Sequence, residues 1–475
     1  MPNSFVNTCG GRAAATLDSV PVFDPATLEV VANVPNSSLE QLNEAVLAAR
    51  ATMKSAWAND AALRREAIGK CADQLLSNEE ELAKLLSREQ GKPLMAARRE
   101  IETGHRLLRY FSTLIEADKV IRQNEDGLIR AIRAPIGAVG LIVPWNFPVT
   151  ILMMKLGPAL WAGNSVVVKP APSTPLTTLR IAQLFAQVLP PGIVNTVTGN
   201  GDIGQALVKH DGLGKISFTG SSPTGRRVMA TAAESLKRLT LELGGNDAAI
   251  VLQDADPAMI APRLFANAFG NAGQLCCAIK RLYVHRRVHD EVVERMTAIA
   301  AGWRVGHGLL PDTQMGPLHT ATQRDHVRDL LADAKQRGGR VHTGGEAIDE
   351  WPGHFLRPAI VSGLADDSRL VAEEQFGPAL PILAFDDVDE AVARANASPY
   401  GLGGSVWSGD PDVAAQVASR LEAVNLYVNQ HAVPPDPEIP FGGSKASGFG
   451  YELGEWGADD FSVRKVLNVP RGVLA

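Results

Sequence analysis

Apolar residues recur at helical spacing through the first quarter of the chain. Residues 37–57 and 60–90 carry this spacing in a setting rich in Ala, Leu, Glu and Arg, which predicts two helices. A Gly-Lys-Pro break at positions 91–93 interrupts the pattern, and a further helical stretch follows it to about Ile115. The chain therefore begins, after a short extended start, with a largely helical region.

The next pattern is that of a hairpin. Two extended segments between Lys119 and Pro135 flank Asp126-Gly127, a dipeptide suited to a tight turn. The neighbouring sequence offers no obvious partner strands, so we expect the hairpin to project from the body. It is either a plain surface ribbon or an arm that contacts another subunit, and its own residues do not decide between the two.

From residue 136 to residue 252, short apolar strands alternate with helices. This alternation is typical of a parallel sheet with helices on both faces, and such sheets bind ligands beyond the carboxyl ends of their strands. A second strand–helix region runs from about residue 254 to residue 440, and a glycine-rich FGGSKASGFG precedes an extended FSVRKVLNVP. The predicted fold class is α/β. The predicted strands of the first region are 137–143, 165–169, 193–197, 215–218, 239–243 and 248–252.

Composition narrows the class of protein. The length of 475 residues suggests about three domain-sized units. The formal net charge is −6 and the basic residues are dispersed, which argues against nucleic acid or an anionic membrane as the main partner. No apolar run approaches the roughly 18 to 20 residues that a membrane helix needs, and the first residues do not resemble a secretory signal. We therefore expect a cytoplasmic protein.

Cysteine and histidine usage agrees with that expectation. The four cysteines, Cys9, Cys71, Cys276 and Cys277, are too few for a disulfide framework in so long a chain. In a reducing compartment such thiols stay available for chemistry. The ten histidines show no ligand spacing with cysteines or acids, so we expect no metal site.

Two strand-to-helix junctions are candidates for binding a phosphate. A G-x-G-x-x-G sequence occupies positions 199–204, but the acid expected about 20 residues later is absent. Gly220 and Gly225 bracket a second turn, where Ser221 and the first amides of the next helix offer donors to an anion. Each junction has a plain alternative, which is a routine turn capped by Ser or Thr.

Three polar residues have the chemistry of an acyl-transfer site. Cys276, in GNAGQLCCA, is a good nucleophile only where its thiolate is favoured, and its alternative is a small buried side chain. Glu242, in LELGG, lies at the end of an apolar strand, so burial should raise its pKa toward that of a general base; its alternative is an ion pair with Lys or Arg. Asn146, in VPWNFP, is bracketed by prolines and can donate a hydrogen bond to an oxyanion; its alternative is a turn asparagine.

These residues belong to a longer series of motifs. Eight motifs occur in an order and at a spacing that resemble those of the aldehyde dehydrogenase superfamily: PWNFP, KPAPSTPLT, FTGS, LELGGN, GNAGQLCCA, EEQFGP, NQHAVPPDPEIPFGGSKASG and YELGEWG. The resemblance extends from the FDPAT segment near Phe23 almost to the C-terminus. LELGGNDAAIVL and CCAIKRLYVH also resemble a bacterial branch of hydrolytic members whose substrates are poorly defined. The resemblance implies a Rossmann-like parallel-sheet cofactor domain, a second α/β catalytic domain and a small β oligomerisation element.

The resemblance implies catalytic roles for four residues. Cys276 matches the nucleophile and Glu242 the general base, while Asn146 and the Cys276 backbone amide match the oxyanion hole. Glu452 of YELGE matches a second acid that is sometimes assigned to a proton relay near the base. The implied reaction is NAD(P)-dependent oxidation of an aldehyde to the carboxylic acid, through a hemithioacetal and a thioester on Cys276.

The resemblance also implies a site for NAD. Lys169 matches the lysine that holds the adenosine ribose, the Gly220–Ser221 turn meets the pyrophosphate, and Gly225 lets the next helix pack. Pro172 stands where an acid often excludes the 2′-phosphate of NADP, so NADP remains an alternative. Glu374 and Phe376 match residues at the nicotinamide ribose. The full set of expected cofactor residues is Pro144, Trp145, Lys169, Gly220, Ser221, Gly225, Leu243, Glu374 and Phe376.

By the same analogy, a mostly apolar set of residues lines the substrate pocket. Leu275 is bulkier than the residue that many family members carry at this position, and it narrows the pocket. The set favours an aromatic or medium aliphatic aldehyde over a short charged one. The expected pocket residues are Phe147, Met154, Leu275, Cys277 and Phe441.

The resemblance divides the chain into three parts. These are a cofactor-binding domain (1–115 and 136–244), a catalytic domain (245–445) and an oligomerisation element (116–135 and 446–475). In the last, the hairpin is expected to join the C-terminal strand of a neighbour, which implies a homodimer or homotetramer. Two alternatives remain: a CoA-acylating or acyl-phosphate-reducing relative, which would usually lack the LELGG glutamate, and a non-catalytic binding or structural protein on the same scaffold.

Overall fold

The computed structural model of the protein describes residues 5–16, 18–115, 119–348 and 350–470. Its N-terminal region consists of two small hairpins, four helices and a longer hairpin. The elements are β1 (Asn7–Cys9), β2 (Arg12–Ala14), β3 (Ser19–Phe23), β4 (Val30–Pro35), α1 (Leu39–Ala51), α2 (Ala61–Ser77), α3 (Glu79–Gln90), α4 (Leu94–Thr113), β5 (Lys119–Asn124) and β6 (Gly127–Pro135), with 3-10 turns at Thr52–Lys54 and Ala56–Ala58. The hairpin predicted around Asp126-Gly127 is confirmed.

The prediction of one helix over residues 60–90 is wrong, because two helices, α2 and α3, meet at Asn78. The Asn78 Nδ2 donates to the carbonyl oxygen of Gln74 over 2.8 Å. Such a side chain competes for carbonyl groups that a continuous helix would use, and the Asn78 backbone leaves the helical region at φ −116° and ψ 18°. α3 ends at Gly91, whose φ of +99° suits glycine and whose Cβ, if present, would lie 2.8 Å from the Pro25 ring.

The region from residue 138 to residue 242 alternates strand and helix as predicted. Its elements are β7 (Ala138–Ile142), α5 (Pro148–Trp161), β8 (Ser165–Lys169), α6 (Leu176–Phe185), β9 (Val194–Thr196), α7 (Gly201–Lys209), β10 (Lys215–Thr219), α8 (Ser222–Ala233) and β11 (Arg238–Glu242). The five strands run parallel in the order β11-β10-β7-β8-β9. Pairing of Ile142 with Lys169, and of Thr219 with Glu242, aligns the carboxyl ends of these strands at one edge.

The sixth predicted strand, 248–252, belongs to a second sheet, so its grouping with the first five strands was wrong. Only four residues separate it from β11, whereas a parallel crossover within one sheet needs a dozen or more. The seven strands of this sheet follow the order β14-β15-β16-β13-β12-β18-β19, all parallel except β14. The elements of this region are β12 (Asp247–Val251), α9 (Pro257–Phe269), β13 (Ile279–His285), α10 (Arg286–Ala301), α11 (Ala321–Gln336), β14 (Arg340–Thr343), β15 (Ala359–Ser362), α12 (Arg369–Ala372), β16 (Ala379–Phe385), α13 (Val388–Asn396), β17 (Tyr400–Gly401), β18 (Gly403–Trp407), α14 (Pro411–Ala418) and β19 (Asn425–Val428), with a 3-10 turn at Gly270–Gly273.

The C-terminal region returns to the first sheet and then to the hairpin. Its elements are β20 (Phe441–Gly442), β21 (Ser444–Lys445), β22 (Gly448–Phe449), β23 (Tyr451–Glu452), α15 (Gly454–Asp460) and β24 (Ser462–Pro470). β22 pairs antiparallel with β11, which closes that edge of the first sheet. β20 pairs with β23, so Phe441 lies opposite Glu452.

The C-terminal strand pairs with the hairpin of its own chain, not with that of a neighbour as expected. β24 runs antiparallel to β6 from Ser462 opposite Pro135 to Pro470 opposite Gly127. Helix α15 reverses the chain directly before β24, and Arg133 of β6 bonds to Asp459 of that helix over 2.7 Å. The subunit-contact role of this sheet stays a prediction, and residues 116–118 and 471–475 of the predicted oligomerisation element lie outside the described residues.

One large apolar cluster joins the N-terminal helices to the first sheet. It contains Trp57, Phe111 and Phe461 together with residues of α5 and β7. Separate clusters lie on the two faces of the second sheet. The architecture confirms the predicted α/β fold class, while the three domain boundaries stay predictions. Within the described ranges, no helix is long and apolar enough to cross a membrane.

Candidate active site

The three residues predicted for acyl-transfer chemistry come from separate parts of the fold. Asn146 follows β7, Glu242 ends β11, and Cys276 lies between α9 and β13. The cysteine loop approaches the end of β11 closely, because a Cβ on Gly245 would lie 2.6 Å from the carbonyl oxygen of Cys276. The second glycine of LELGG therefore permits the close approach of the cysteine loop to the segment that follows β11.

Asn146 is buried and held through both its side chain and its backbone. Its Nδ2 donates to the carbonyl oxygen of Gln274, in the cysteine loop, over 2.9 Å. Its own carbonyl oxygen accepts from Lys92 Nζ at 2.9 Å and from Asn271 Nδ2 at 3.2 Å. Pro144, two residues earlier, is half-buried. The predicted amide donor thus faces the loop that carries the thiol.

The surroundings of Cys276 favour the neutral thiol. A hydrogen bond with the Cys277 side chain, followed by burial and by the charges of Asp247 and Glu374, raises the pKa of Cys276 well above its usual value. Because the thiolate is the nucleophile, a base has to take the proton.

A buried histidine holds the peptide that follows the thiol. His431 Nε2 lies 3.0 Å from the Cys277 carbonyl oxygen, and Nδ1 lies 2.9 Å from Ser405 Oγ. Ser405 Oγ accepts a hydrogen bond from Trp407 Nε1 over 2.9 Å. Because a carbonyl oxygen only accepts, Nε2 carries the hydrogen that reaches Cys277. The Asp247 carboxylate lies 3.6 Å from the same nitrogen, so the imidazole is held between Ser405, Cys277 and Asp247.

Glu242 has the properties expected of a buried base. Its Oε1 is buried and finds no hydrogen-bond partner among the described residues. Burial, then the negative charge of Glu452, raises the pKa of Glu242 well above its usual value, and the positive charge of Lys155 opposes the rise. Lys155 Nζ forms a buried ion pair with Glu452 and also donates to Ser217 Oγ over 2.9 Å. The predicted second acid, Glu452, therefore lies close to the predicted base.

A cavity of about 560 Å³ opens beyond the carboxyl ends of β7, β8 and β10. Lys169 lines this cavity, and burial lowers the pKa of Lys169 to about 8. Two glycines of the G-x-G-x-x-G sequence line the cavity, so this motif and the expected cofactor lysine share one site. The lining includes Lys169, Pro172, Gly201, Gly204, Thr224 and Arg227.

The turn between β10 and α8 adjoins this cavity. Ser221 is the N-cap residue of α8, but its Oγ bonds to Thr224 Oγ1 over 3.0 Å and does not cap the helix. Gly220 donates from its backbone to the carbonyl oxygen of Glu242 over 3.0 Å. A Cβ on Gly225 would lie 2.5 Å from the buried Leu243, so only glycine lets α8 pack this closely.

The remaining predicted cofactor residues form an aromatic and acidic wall. Trp145 stacks on His319 with ring centroids 4.6 Å apart and meets Phe376 edge-on at 5.5 Å. Phe376 adopts a φ of 45°, a left-handed conformation that costs on the order of 1–3 kcal/mol. Glu374 accepts a hydrogen bond from the backbone of Gly245 over 3.2 Å, and burial raises the pKa of Glu374 to about 7.

The expected substrate residues fall into two groups. Phe147, Met154 and Phe441 belong to or pack against the apolar cluster around α5. Leu275 and Cys277 flank the thiol and are half-buried. The first group forms an apolar wall, and the second belongs to the cysteine loop.

Tyr110 adds a feature that the sequence did not indicate. It packs, half-buried, against the same cluster as Phe147. Burial, then the negative charges of Glu438, Glu455 and Asp436, raises the pKa of Tyr110. Acidic side chains therefore lie near one end of the apolar wall.

Sequence reasoning missed several residues that hold the site together, among them Lys92, Glu100, Lys155, His319 and His431. Lys155 carried a usable signal, because it is the single charged residue of the otherwise apolar ILMMKLGPAL. Lys92, Glu100 and His319 carried none, because none of them lies within a continuous apolar run. In the part of the chain that the structure describes, no group of three or more His, Cys, Asp or Glu side chains is placed to hold a metal ion.

Comparison with known proteins shows what the chain as a whole is similar to. Phenylacetaldehyde dehydrogenase of Pseudomonas fluorescens is 38% identical over 460 residues, which cover 94% of this chain and 91% of the relative. Aminoacetaldehyde dehydrogenase of Pseudomonas aeruginosa is 38% identical over 473 residues, which cover 98% and 93%. An aldehyde dehydrogenase from Bacillus cereus, solved as its NAD⁺ complex, is 35% identical and superimposes with a TM-score of 0.95 over 99% of this chain and 97% of that one.

Residues 12–467 match the sequence profile of the aldehyde dehydrogenase family. That range includes both large sheets, the cysteine loop and most of the β24-β6-β5 sheet. With the similarity to named aldehyde dehydrogenases over more than nine-tenths of its length, the chain belongs to the aldehyde dehydrogenase family.

Proposed function

We propose that the protein oxidises an aldehyde to its carboxylic acid, with a nicotinamide dinucleotide as oxidant and a thioester on Cys276 as intermediate. The proposal rests on one observation, which is that a thiol, an amide donor and a buried carboxyl lie at the same site. Asn146 bonds to the cysteine loop, and Glu242 is a buried carboxyl on which the Cys276 charge acts. A nucleophile, an oxyanion donor and a base are the groups that acyl transfer needs.

In the first step, Glu242 takes the Cys276 proton and the thiolate attacks the aldehyde carbon. The bond to Gln274 uses one N–H of the Asn146 amide, and the second N–H remains to donate to the oxyanion. The backbone N–H of Cys276 supplies the other donor. Removal of one such donor in comparable sites slows the reaction on the order of 100- to 1000-fold.

The cofactor is NAD, with NADP as an alternative. When bound, NAD supplies the acceptor for the hydride that leaves the hemithioacetal carbon. Lys169 in the 560 Å³ cavity would hold the adenosine ribose, and the first amides of α8, with Gly220 and Ser221, would hold the pyrophosphate. Glu374 and Phe376 would hold the nicotinamide ribose. The NAD⁺ complex of the Bacillus cereus relative supports this arrangement.

Before the last step, Glu242 gives up the proton that it took from Cys276. It then accepts a proton from water, whose oxygen attacks the thioester carbon; the C–S bond breaks, the acid is released and Cys276 returns as its thiolate. Glu452 and Lys155 carry the proton away from Glu242 through the buried ion pair. Glu242 is also the residue that argues against the CoA-acylating alternative, in which a thiol replaces water. A non-catalytic scaffold would not explain a buried carboxyl near Cys276 whose Oε1 has no hydrogen-bond partner among the described residues.

The substrate is an aromatic or medium aliphatic aldehyde. The apolar wall formed by Phe147, Met154 and Phe441 supports this class, as does the relative named for phenylacetaldehyde. The acids near Tyr110 favour a second class, small cationic aldehydes, and another relative is named for aminoacetaldehyde. The two classes differ in charge, so a panel of aldehydes separates them.

The protein forms a homodimer or homotetramer through the β24-β6-β5 sheet. Val120 and Ile121 of β5 are 54% and 53% exposed, and Val466 of β24 is 61% exposed. Exposed β-branched residues on a sheet favour association with another apolar surface. Sedimentation of the wild-type protein and of Val466→Lys would test this assembly.

The proposed reaction is tested by formation of reduced nicotinamide. Wild type and Cys276→Ser are assayed with aromatic, aliphatic and amino-aldehydes, with NAD and NADP, and without CoA. Cys71→Ser is the matched control, because Cys71 is fully buried in the N-terminal helices. We expect CoA-independent turnover that Cys276→Ser abolishes and Cys71→Ser retains. Turnover that requires CoA, or that survives in Cys276→Ser, would overturn the proposal.

A further inference from the structure

We propose that the buried Lys92–Glu100 ion pair is a positioning device for the Asn146 amide. The inference rests on the proposed oxyanion role of Asn146. Lys92 lies in the break between α3 and α4, and Glu100 lies on α4. Neither side chain reaches solvent, since they are 0% and 1% exposed. The pair acts on the reaction only through the segment that it holds.

The two charged groups contact opposite ends of one short segment. Lys92 Nζ pairs with Glu100 Oε2 and donates to the carbonyl oxygen of Asn146 at 2.9 Å. Glu100 Oε1 accepts from the backbone N–H groups of Val149 at 2.9 Å and Thr150 at 3.2 Å. The backbone on both sides of Phe147 is therefore attached to a single ion pair.

The start of α5 has a specific need for these contacts. Its N-cap residue is Phe147, whose side chain cannot accept a hydrogen bond, and Pro148 follows it. The first N–H groups of a helix have no partner within the helix, and burial without one is costly. Glu100 supplies the missing acceptor from a different helix, and its negative charge suits the positive end of the α5 dipole. The Lys92 ammonium also lies 3.8 Å from the centre of the Phe147 ring.

The ion pair fixes the backbone, and the cysteine loop fixes the side chain. Two donors, Lys92 and Asn271, hold the Asn146 carbonyl, while Gln274 accepts from its Nδ2. Apolar side chains of similar volume would pack α4 against α5 at least as well as a buried ion pair does. They could not bond to the carbonyl and amide groups around Asn146. The presence of a charged pair at positions 92 and 100 is therefore better explained by the need to orient the Asn146 amide than by a gain in stability.

A double-mutant cycle tests the inference. Lys92→Met and Glu100→Gln are measured alone and combined with Asn146→Ala, by the pre-steady-state rate of reduced-nicotinamide formation at saturating aldehyde. Alone, we expect Lys92→Met to slow this rate on the order of 100-fold, since small misplacements of a catalytic group cost that much. In the Asn146→Ala background, the further loss should be below about threefold, because the group that the pair orients is already gone.

The outcomes separate the inference from the proposed function. If Asn146→Ala is itself harmless, both the oxyanion role and the positioning role fall. If Asn146→Ala slows the reaction and Lys92→Met slows it further by the same factor in the Asn146→Ala background as alone, only the positioning role is refuted. Glu100→Gln preserves the shape of the side chain and one acceptor oxygen, so it tests the effect of the negative charge in a chain that folds. The affinity of this variant for NAD, measured by calorimetry, should equal that of the wild type.

Glu89 offers a matched control. It is a fully buried carboxylate of α3 that accepts from Leu176 and Thr177 at the start of α6, at 2.7 and 2.9 Å. It performs the same capping at a helix that does not carry Asn146. Because the Glu89 charge also acts on Lys92 and Glu100, we expect a small coupling of Glu89→Gln to Asn146→Ala. A coupling as large as that of Lys92 would show that any lost cap disturbs the site.

Discussion

The Lys155 ammonium and the Glu452 carboxylate form an ion pair in which the two side chains are 0% and 1% exposed. Lys155 belongs to α5 and Glu452 to β23, so residues 297 positions apart meet in the core. Glu242 lies beside this pair. Burial is the main cause of the raised pKa of Glu242, Glu452 adds to it, and Lys155 opposes it. The ion pair therefore adjusts the proposed base, which makes it testable by pH.

Glu452→Gln should move the acid limb of the kcat–pH profile to lower pH. The substitution removes a negative charge that raises the pKa of Glu242, while the Lys155 charge that lowers it remains. Because the base works deprotonated, activity then persists to lower pH. Steady-state rates over a pH series measure the limb. Glu455→Gln, whose side chain is 74% exposed, is the control and should leave the limb in place. A limb that moves upward would contradict the role of Glu452.

Lys155→Met should lower the free energy of unfolding by about 3–5 kcal/mol, because it leaves a buried carboxylate without its partner. The double variant Lys155→Met/Glu452→Leu should be more stable than Lys155→Met, since no unpaired charge remains. Urea unfolding curves with equal slopes give both values. The exposed pair Arg286–Asp386, 64% exposed on each side, provides the comparison, and Arg286→Met should change the free energy of unfolding far less than Lys155→Met does. Equal losses at the two pairs would refute the argument.

His319 should make the protein sensitive to acid between about pH 6.5 and pH 4. Burial lowers the pKa of His319 from 6.5 to about 4. Below pH 6.5, His319 therefore binds a proton in the unfolded chain but stays neutral in the folded chain until the pH approaches 4. The contribution of neutral His319 to the free energy of unfolding is thus fully present above pH 6.5. It decreases as the pH drops, by up to about 3 kcal/mol. Urea midpoints at pH 7.5 and pH 5 should approach one another in His319→Phe. An unchanged pH dependence in that variant would assign the acid sensitivity to other groups.

Pro172→Glu should weaken NADP binding relative to NAD by about tenfold or more. Pro172 and Lys169 line the same cavity, so a carboxylate there would face the 2′-phosphate of NADP. Like charges placed together cost several kcal/mol at an interface. Isothermal titration with each dinucleotide measures the ratio. Pro172→Gln, which adds similar bulk without charge, should change the ratio little, and an equal effect of both substitutions would show that bulk alone matters.

Much of the architecture was determined by local sequence. Alternating strands and helices predicted the first parallel sheet, and Asp126-Gly127 predicted the hairpin, because period and turn chemistry are properties of a few adjacent residues. The break at Asn78 was missed, since an asparagine within a helical pattern signals an end only through its own backbone contacts. The alternation of strands and helices grouped the strand at 248–252 with the first sheet, whereas the domain division implied by the resemblance separated it. Only four residues lie between this strand, β12, and β11, too few for a parallel crossover.

The catalytic motifs could be found from sequence, but the surroundings that give them their properties could not. Motif order identified Cys276, Glu242 and Asn146 as candidates. Only the tertiary structure brought Lys155 and Glu452 to the base, Lys92 and Glu100 to the amide, and His431 to the cysteine loop. These partners lie between 46 and 210 positions away along the chain, whereas a pKa or an amide orientation depends on distance through space. Sequence therefore determined which groups the protein has, and the fold decided what each of them faces.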